Sequence, residues 1–176
     1  MLDLSAAQLA ELVLPHPSVS FADRRTGRPQ PERAVRDLEL GVNRISRVQR
    51  LYRELDGSGR TVSIKENAFD SLDIDLRERY VPSPLRDRAV TTHATTVASV
   101  AAGAGNSYYT GRGAAPGGTV SSSSFNNLFP DDAEQLAAEG AYVQNHSYGL
   151  GLENYYGGEA AAYDEQVRRL NAEFNS

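Results

Sequence analysis

The chain of 176 residues is predicted to be an α/β protein, because segments typical of strands alternate with segments typical of helices. A β-branched run at residues 61–65 indicates a strand, and the Ala-rich segment that begins at His93 indicates a helix packed closely on a sheet. Further strands are predicted at 119–124 and 142–147, and a helix at 157–174. Strands separated in this way by helices are typical of a parallel sheet.

The N-terminal part of the chain carries weaker patterns. Its candidate elements are a helix at 4–14, a strand at 18–21 and two helices at 32–40 and 43–55. Pro15 and Pro17 would end the first of these helices, since proline cannot continue a helical hydrogen-bond pattern. We therefore expect a helical N-terminal segment ahead of the main α/β unit.

Composition excludes several classes of function. The 18 Lys and Arg residues against 23 Asp and Glu residues give a net charge of −5, which argues against nucleic acid as a partner. The chain has no cysteine, so a disulfide scaffold and a thiolate zinc site are excluded. No stretch approaches the ~20 apolar residues of a membrane span, and the acidic start of the chain lacks the pattern of a signal peptide.

His93 is the first candidate for chemistry, because it begins an Ala-rich helix that is expected to pack on the sheet. An imidazole at the rim of a sheet can accept a proton from a nucleophile near neutral pH. The alternative is a surface helix whose histidine only packs against its neighbours. Thr91 or Thr92 is available as the N-cap of this helix.

Five motifs occur in order around His93. They are Leu-Asp-Gly-Ser-Gly-Arg at 55–60, Val-Ser-Ile-Lys-Glu at 62–66, His-Ala-Thr-Thr-Val-Ala-Ser at 93–99, Gly-Ala-Ala-Pro at 113–116 and Val-Gln-Asn-His-Ser-Tyr-Gly at 143–149. In order and rough spacing they resemble the subtilisin-like serine proteases, over about residues 41–170. The counterparts there are a Gly-rich turn, Val-x-Val-x-Asp-x-Gly, His-Gly-Thr-His-Val-Ala-Gly, Gly-Val-Ala-Pro and Val-Ile-Asn-Met-Ser-Leu-Gly.

The resemblance implies a partial subtilisin-like three-layer fold with a mostly parallel sheet. It makes residues 1–40 a propeptide-like or N-terminal extension and residues 41–176 the N-terminal part of a peptidase domain. An N-terminal preface without an inhibitory role is an equal alternative for the first segment. The family is mostly secreted, so an extracellular location is expected although the chain shows no signal peptide.

The resemblance also implies roles for particular residues. His93 would be the general base and acid, and Glu66 would orient it in place of the usual aspartate, as in a secreted branch of the family with Ser-Ile-Lys-Glu and His-Ala-Thr motifs. Asp70 is the fallback acid. Ser147, Tyr148 and Gly149 would form part of the wall that binds an extended peptide substrate, unless this strand is simply buried.

The family's Gly-Thr-Ser-x-Ala-x-Pro nucleophile segment and its oxyanion asparagine do not occur in this sequence. The serine run at 121–124 follows Val120 in a predicted strand and does not replace them. We therefore expect an N-terminal protease fragment that is inactive alone, because triad members act as a unit, and whose partners are a peptide substrate and the missing C-terminal part. The alternatives are a non-catalytic peptide-binding module derived from the family, and an unrelated α/β protein.

No metal or cofactor site is predicted. Asp70, Asp73 and Asp75 are close in sequence, but the calcium-loop pattern is missing, so a solvated acidic loop is expected. Calcium elsewhere in a full-length protein stays possible from the resemblance. His146 has no zinc-ligand spacing with His93 and Glu66.

Overall fold

A computed structural model describes residues 5–8, 10–11, 15, 30–31, 40–149 and 155–174. The predicted strand at 18–21 and all but the last residue of the predicted helix at 32–40 lie outside these ranges. Within the predicted helix at 4–14, the structure shows a short helix, α1 (Ala6–Gln8). None of the helices in the described ranges is long and apolar enough to cross a membrane.

The predicted α/β class is confirmed by a three-stranded parallel sheet with helices around it. The strands are β2 (Thr61–Glu66), β3 (Thr119–Ser124) and β4 (Ala141–His146), in the order β3-β2-β4. The helices of this unit are α2 (Ile45–Leu51), α3 (Thr92–Ala102), α4 (Ala133–Ala138) and α5 (Gly158–Phe174). The bounds of the three strands, of α3 and of α5 agree closely with the predictions, whereas α2 is shorter than the predicted helix at 43–55.

Helices cover both faces of the sheet. On one face, Ile64 and Val120 form the core with Ala94, Ala98 and Ala102 of α3, and all five side chains are buried. Small side chains on α3 allow this close approach. Because successive side chains of a strand point to opposite faces, Lys65 extends to the other face.

The other face is covered by the segment around α4. Lys65 Nζ contacts Asp131, which precedes α4, and Gln166 of α5 donates a hydrogen bond to the backbone oxygen of Asp131. The chain thus leaves β2 toward one face and leaves β3 toward the other. In open α/β sheets, such a reversal beside the carboxyl ends of the strands is where ligands bind.

Local signals explain both ends of α3. The Thr91 side chain accepts a hydrogen bond from Ala94 N at 3.2 Å and so caps the helix at its N-terminus. The helix ends at Gly103, where a Cβ atom would lie 2.5 Å from the backbone oxygen of Gly111 and 2.6 Å from that of Ser99. Only glycine fits there, because any side chain would collide with backbone atoms.

The acidic loop differs from its prediction as a solvated segment. Asp70 is exposed, but Asp75 is buried, with 5% of its surface exposed. Its carboxylate accepts hydrogen bonds from the backbone nitrogens of Asn106 and Ser107 and from the Ser107 hydroxyl. The prediction is therefore wrong for Asp75, because a distant loop supplies the donors that replace water.

Candidate functional site

Glu66 is the last residue of β2, the central strand of the sheet, and its side chain has no exposed surface. One carboxylate oxygen, Oε1, accepts a hydrogen bond from Asn67 N at 3.1 Å. Parallel strands flank β2 on both sides, and the pairing reaches Glu66 itself on the β3 side and Lys65 on the β4 side. The carboxylate is therefore held at the carboxyl end of the sheet and shielded from water.

His93 is the second residue of α3, and its Nδ1 atom lies 3.5 Å from Glu66 Oε2. The Nδ1 atom is buried, whereas 20% of the whole side chain is exposed. In enzymes without bound substrate, catalytic contacts of this kind are often longer than a normal hydrogen bond. The two side chains therefore have the relative placement of a proton-accepting imidazole and the carboxylate that orients it.

Sequence reasoning left two acids open as the partner of His93, and the geometry favours Glu66. The exposed Asp70 carboxylate accepts a hydrogen bond from Leu72 N at 2.9 Å and so stabilises its own turn. The Asp70 backbone nitrogen donates to Thr95 Oγ1, also at 2.9 Å, which ties this turn to α3. Asp70 therefore serves the loop rather than the imidazole.

The predicted substrate wall lies directly after β4. Ser147 Oγ accepts a hydrogen bond from Asn145 Nδ2 at 2.8 Å. Residues Tyr148–Gly149 form a short strand, β5, which pairs antiparallel with β1 (Gln30–Pro31). The backbone edge that was predicted to bind an extended peptide thus binds an extended segment of the same chain.

Tyr148 is fixed by aromatic and polar contacts. Its ring packs edge-on against Phe125 with centroids 5.4 Å apart, and its hydroxyl lies 2.9 Å from His146 Nδ1. Desolvation raises the pKa of Tyr148 above its ordinary value. The Tyr148 side chain is therefore uncharged near pH 7, and these contacts hold its ring in one orientation.

His146 belongs to this aromatic cluster rather than to the His93 site. Its ring meets Tyr163 of α5 edge-on, with centroids 5.0 Å apart. Desolvation and the charge of Lys65 lower the pKa of His146, and the opposing effect of Asp131 does not compensate. Within the described residues, no group of three or more His, Cys, Asp and Glu side chains is placed to hold a metal ion.

The serine run forms β3, as predicted, and residues 121–123 of it are buried. The Ser123 hydroxyl donates to the Asp131 carboxylate, and the Ser124 hydroxyl donates to Asp87 Oδ2 at 2.6 Å. Both hydroxyls are thus engaged with carboxylates. This arrangement supports a structural role for the run.

Sequence reasoning missed the environment of Lys65, which is fully buried and forms an ion pair with Asp131 at 2.8 Å. A signal was available, because the chain's only lysine lies inside a β-branched strand, directly before Glu66. Lysine is almost never fully buried unless it is paired. Its position therefore indicated a buried acidic partner, although not which one.

Comparison with protein-family models and with curated protein sequences gives no match for this chain. The case for a function therefore depends on the placement of His93 and Glu66.

Proposed function

We propose that this chain supplies the general base and its orienting acid to a peptide-hydrolysing site of the Ser/His/acid type. The observation that carries the proposal is the 3.5 Å contact between His93 Nδ1 and Glu66 Oε2 at the carboxyl end of a parallel sheet. A buried carboxylate at Nδ1 keeps the proton there and leaves Nε2 as the proton acceptor. Under this proposal, Nε2 faces the reacting groups.

The proposed reaction has two proton transfers through His93. Its Nε2 takes the proton of a serine hydroxyl as that oxygen attacks the peptide carbonyl, and then gives the proton to the leaving amine. Glu66 stays ionised and stabilises the imidazolium. The Gly-Thr-Ser-x-Ala-x-Pro segment does not occur in this sequence, so under this proposal a separate segment supplies the hydroxyl.

The substrate under this proposal is an extended peptide that takes the place of Gln30–Pro31 on the Tyr148–Gly149 edge. The antiparallel pairing of this edge with Gln30–Pro31 supports its ability to bind a strand. The same observation favours a second candidate function, a peptide-binding module without catalysis. An extracellular site of action is part of the proposal, from the resemblance to secreted proteases.

The two candidates are separated by assaying hydrolysis and binding in parallel. Quenched fluorogenic peptides are incubated with the 176-residue chain and with the natural gene product that carries it, as wild type and as His93→Ala. We expect no turnover by the chain alone, and turnover by the gene product that His93→Ala abolishes. Binding of labelled peptides by both preparations without turnover would favour the module. Neither binding nor turnover would contradict both.

A further inference from the structure

The face of the sheet opposite α3 carries a polar network that the proposed function does not use. At its centre, Lys65 Nζ lies 2.8 Å from Asp131 Oδ1, with 0% and 4% of the two side chains exposed. The same Nζ donates to the backbone oxygen of Phe129 at 3.0 Å. Both charges have therefore lost their hydration and depend on each other and on the surrounding hydrogen bonds.

The other carboxylate oxygen of Asp131 connects the network to the remaining strands. It accepts hydrogen bonds from Ser123 Oγ on β3 and from Gln144 Nε2 on β4, the latter at 2.8 Å. Gln144 Nε2 also lies 3.1 Å from Ser63 Oγ on β2. Gln166 Nε2 of α5 donates to the Asp131 backbone oxygen at 2.6 Å. One aspartate thus ties together all three strands and α5.

Stability alone is a weak explanation for such a network. Replacing a buried ion pair with apolar side chains of similar volume is often neutral or stabilising, because desolvation offsets the attraction between the charges. A network of directed hydrogen bonds does, however, fix the position of the atoms that it joins. Here the fixed atoms include the end of β2.

Lys65 directly precedes Glu66, and the two side chains extend from opposite faces of the same strand end. A displacement of the Lys65 backbone therefore moves the backbone from which the Glu66 carboxylate projects. In an active site, a displacement of about 1 Å can reduce the rate by about 100-fold. The alignment of Glu66 with His93 is thus sensitive to the anchor on the other face.

We propose that Lys65 and Asp131 are positioning residues, which lock the end of β2 and so direct the Glu66 carboxylate toward His93. This inference rests on the proposed function, since it explains how the base and its acid are kept in line. It adds two residues to the site that act through the backbone of β2.

The test uses the full chain and reads the ring ¹⁵N chemical shifts of His93, which report the nitrogen that carries the proton. The main variant is Lys65→Met/Asp131→Leu, which removes both charges together and leaves neither buried without its partner. Glu66→Gln gives the reference shifts of the His93 ring when its partner at position 66 carries no charge. Thr61→Val is the matched control, because it removes one hydroxyl from the same face of β2, at the other end of the strand, where Thr61 Oγ1 contacts Thr119 Oγ1 and no member of the network.

We expect the double variant to move the His93 ring shifts toward those of Glu66→Gln. Adding Glu66→Gln to the double variant should then change the His93 ring shifts little further, because both alterations act on the same Glu66–His93 contact. Thr61→Val should keep the wild-type shifts. A purely structural network would change the urea midpoint of unfolding and leave the His93 ring unchanged, so the readout separates the two roles.

Each remaining outcome decides a different claim. Wild-type His93 shifts in a folded double variant, together with altered shifts in Glu66→Gln, would overturn the positioning role and leave the proposed function standing. Unaltered shifts in Glu66→Gln would remove the Glu66–His93 pair and the proposed function with it. If the double variant does not fold, Gln144→Met decides, since it removes two hydrogen bonds of the network and leaves the ion pair intact. We expect the same direction of shift there, and wild-type shifts would overturn the inference.

Discussion

The Nδ1 atom of His93 lies 3.5 Å from the Oε2 atom of Glu66, and this contact joins the start of α3 to the end of β2. The Glu66 side chain is fully buried, whereas the His93 side chain remains partly exposed. The carboxylate can therefore act on the ring without competition from water, and the ring can exchange protons with groups outside. This division of tasks is what acid–base catalysis by a histidine requires.

Under the proposed function, Glu66→Gln is expected to remove most of the hydrolytic activity of the protein that carries this chain. The amide keeps the size of the side chain but no longer holds a proton on Nδ1 or stabilises the imidazolium, a change that lowers kcat by about 10⁴-fold in a Ser/His/Asp enzyme. The measurement is kcat/KM with a quenched fluorogenic peptide. Asp70→Asn is the control and should keep wild-type activity, because Asp70 caps its own turn. A larger loss in Asp70→Asn would identify Asp70 as the working acid.

Thr91→Ala is expected to lower the free energy of unfolding by about 1 kcal/mol, the usual effect of losing an N-cap. The Thr91 side chain accepts the hydrogen bond from Ala94 N, and alanine cannot replace it. Urea unfolding followed by circular dichroism gives the change. Thr92→Ala, on the exposed neighbouring residue, should change it far less. Equal effects of the two substitutions would show that the cap contributes nothing specific.

Local signals in the sequence were sufficient for the elements that hold the site. The Thr91 cap and the Ala-rich run predict α3, and β-branched residues predict β2, because these signals act between residues close in the chain. The pairing of Glu66 with His93 has no local signal. It was predicted only from the order of motifs in a resembling family, and the two side chains lie 3.5 Å apart.

Other features depend on contacts between distant segments and could not be predicted from local patterns. Lys65 can be buried because it pairs with Asp131, which follows β3 in the chain. Asp75 is buried because backbone nitrogens at 106 and 107 replace its water. The pairing of Gln30–Pro31 with Tyr148–Gly149 was not predicted, because Gln30 and Pro31 lie in a Pro-rich segment that indicates a loop. In each case the deciding partner lies far away in the sequence.

Ala98→Leu is expected to destabilise the protein by about 1–3 kcal/mol, the usual range for overpacking a core. Ala98 has no exposed surface and lies in the cluster with Ile64 and Val120, so a larger side chain would push α3 away from the sheet. Urea unfolding measures the change. Val100→Leu is the control, because Val100 is 39% exposed. It should change the free energy of unfolding by less than about 0.5 kcal/mol. Equal tolerance of both substitutions would contradict the close packing of α3.

Asp75 is expected to make the stability of the protein depend on pH in the acid range. Burial alone would raise the pKa of Asp75, but hydrogen bonds from Ser107, Asn106 and Gly105 outweigh it and hold the pKa below its ordinary value of 3.8. A carboxylate whose pKa is lower in the folded state than in the unfolded chain stabilises the folded state. The stabilisation is fully present at pH values above the pKa of the unfolded chain. This contribution is lost as the pH falls through the folded value.

The corresponding experiment compares wild type with Asp75→Asn by urea unfolding at several pH values from about 7 down to about 2. Asp75→Asn should be less stable than wild type near pH 7, because the charge-assisted hydrogen bonds to the loop at 105–107 are weakened. The two proteins should approach the same stability below the folded pKa, where the wild-type carboxyl group is also neutral. Asp70→Asn is the control, since the exposed Asp70 carboxylate accepts a hydrogen bond from its own turn and none from the loop at 105–107. A constant difference between wild type and Asp75→Asn at every pH would mean that the ionised form of Asp75 is not what binds the loop.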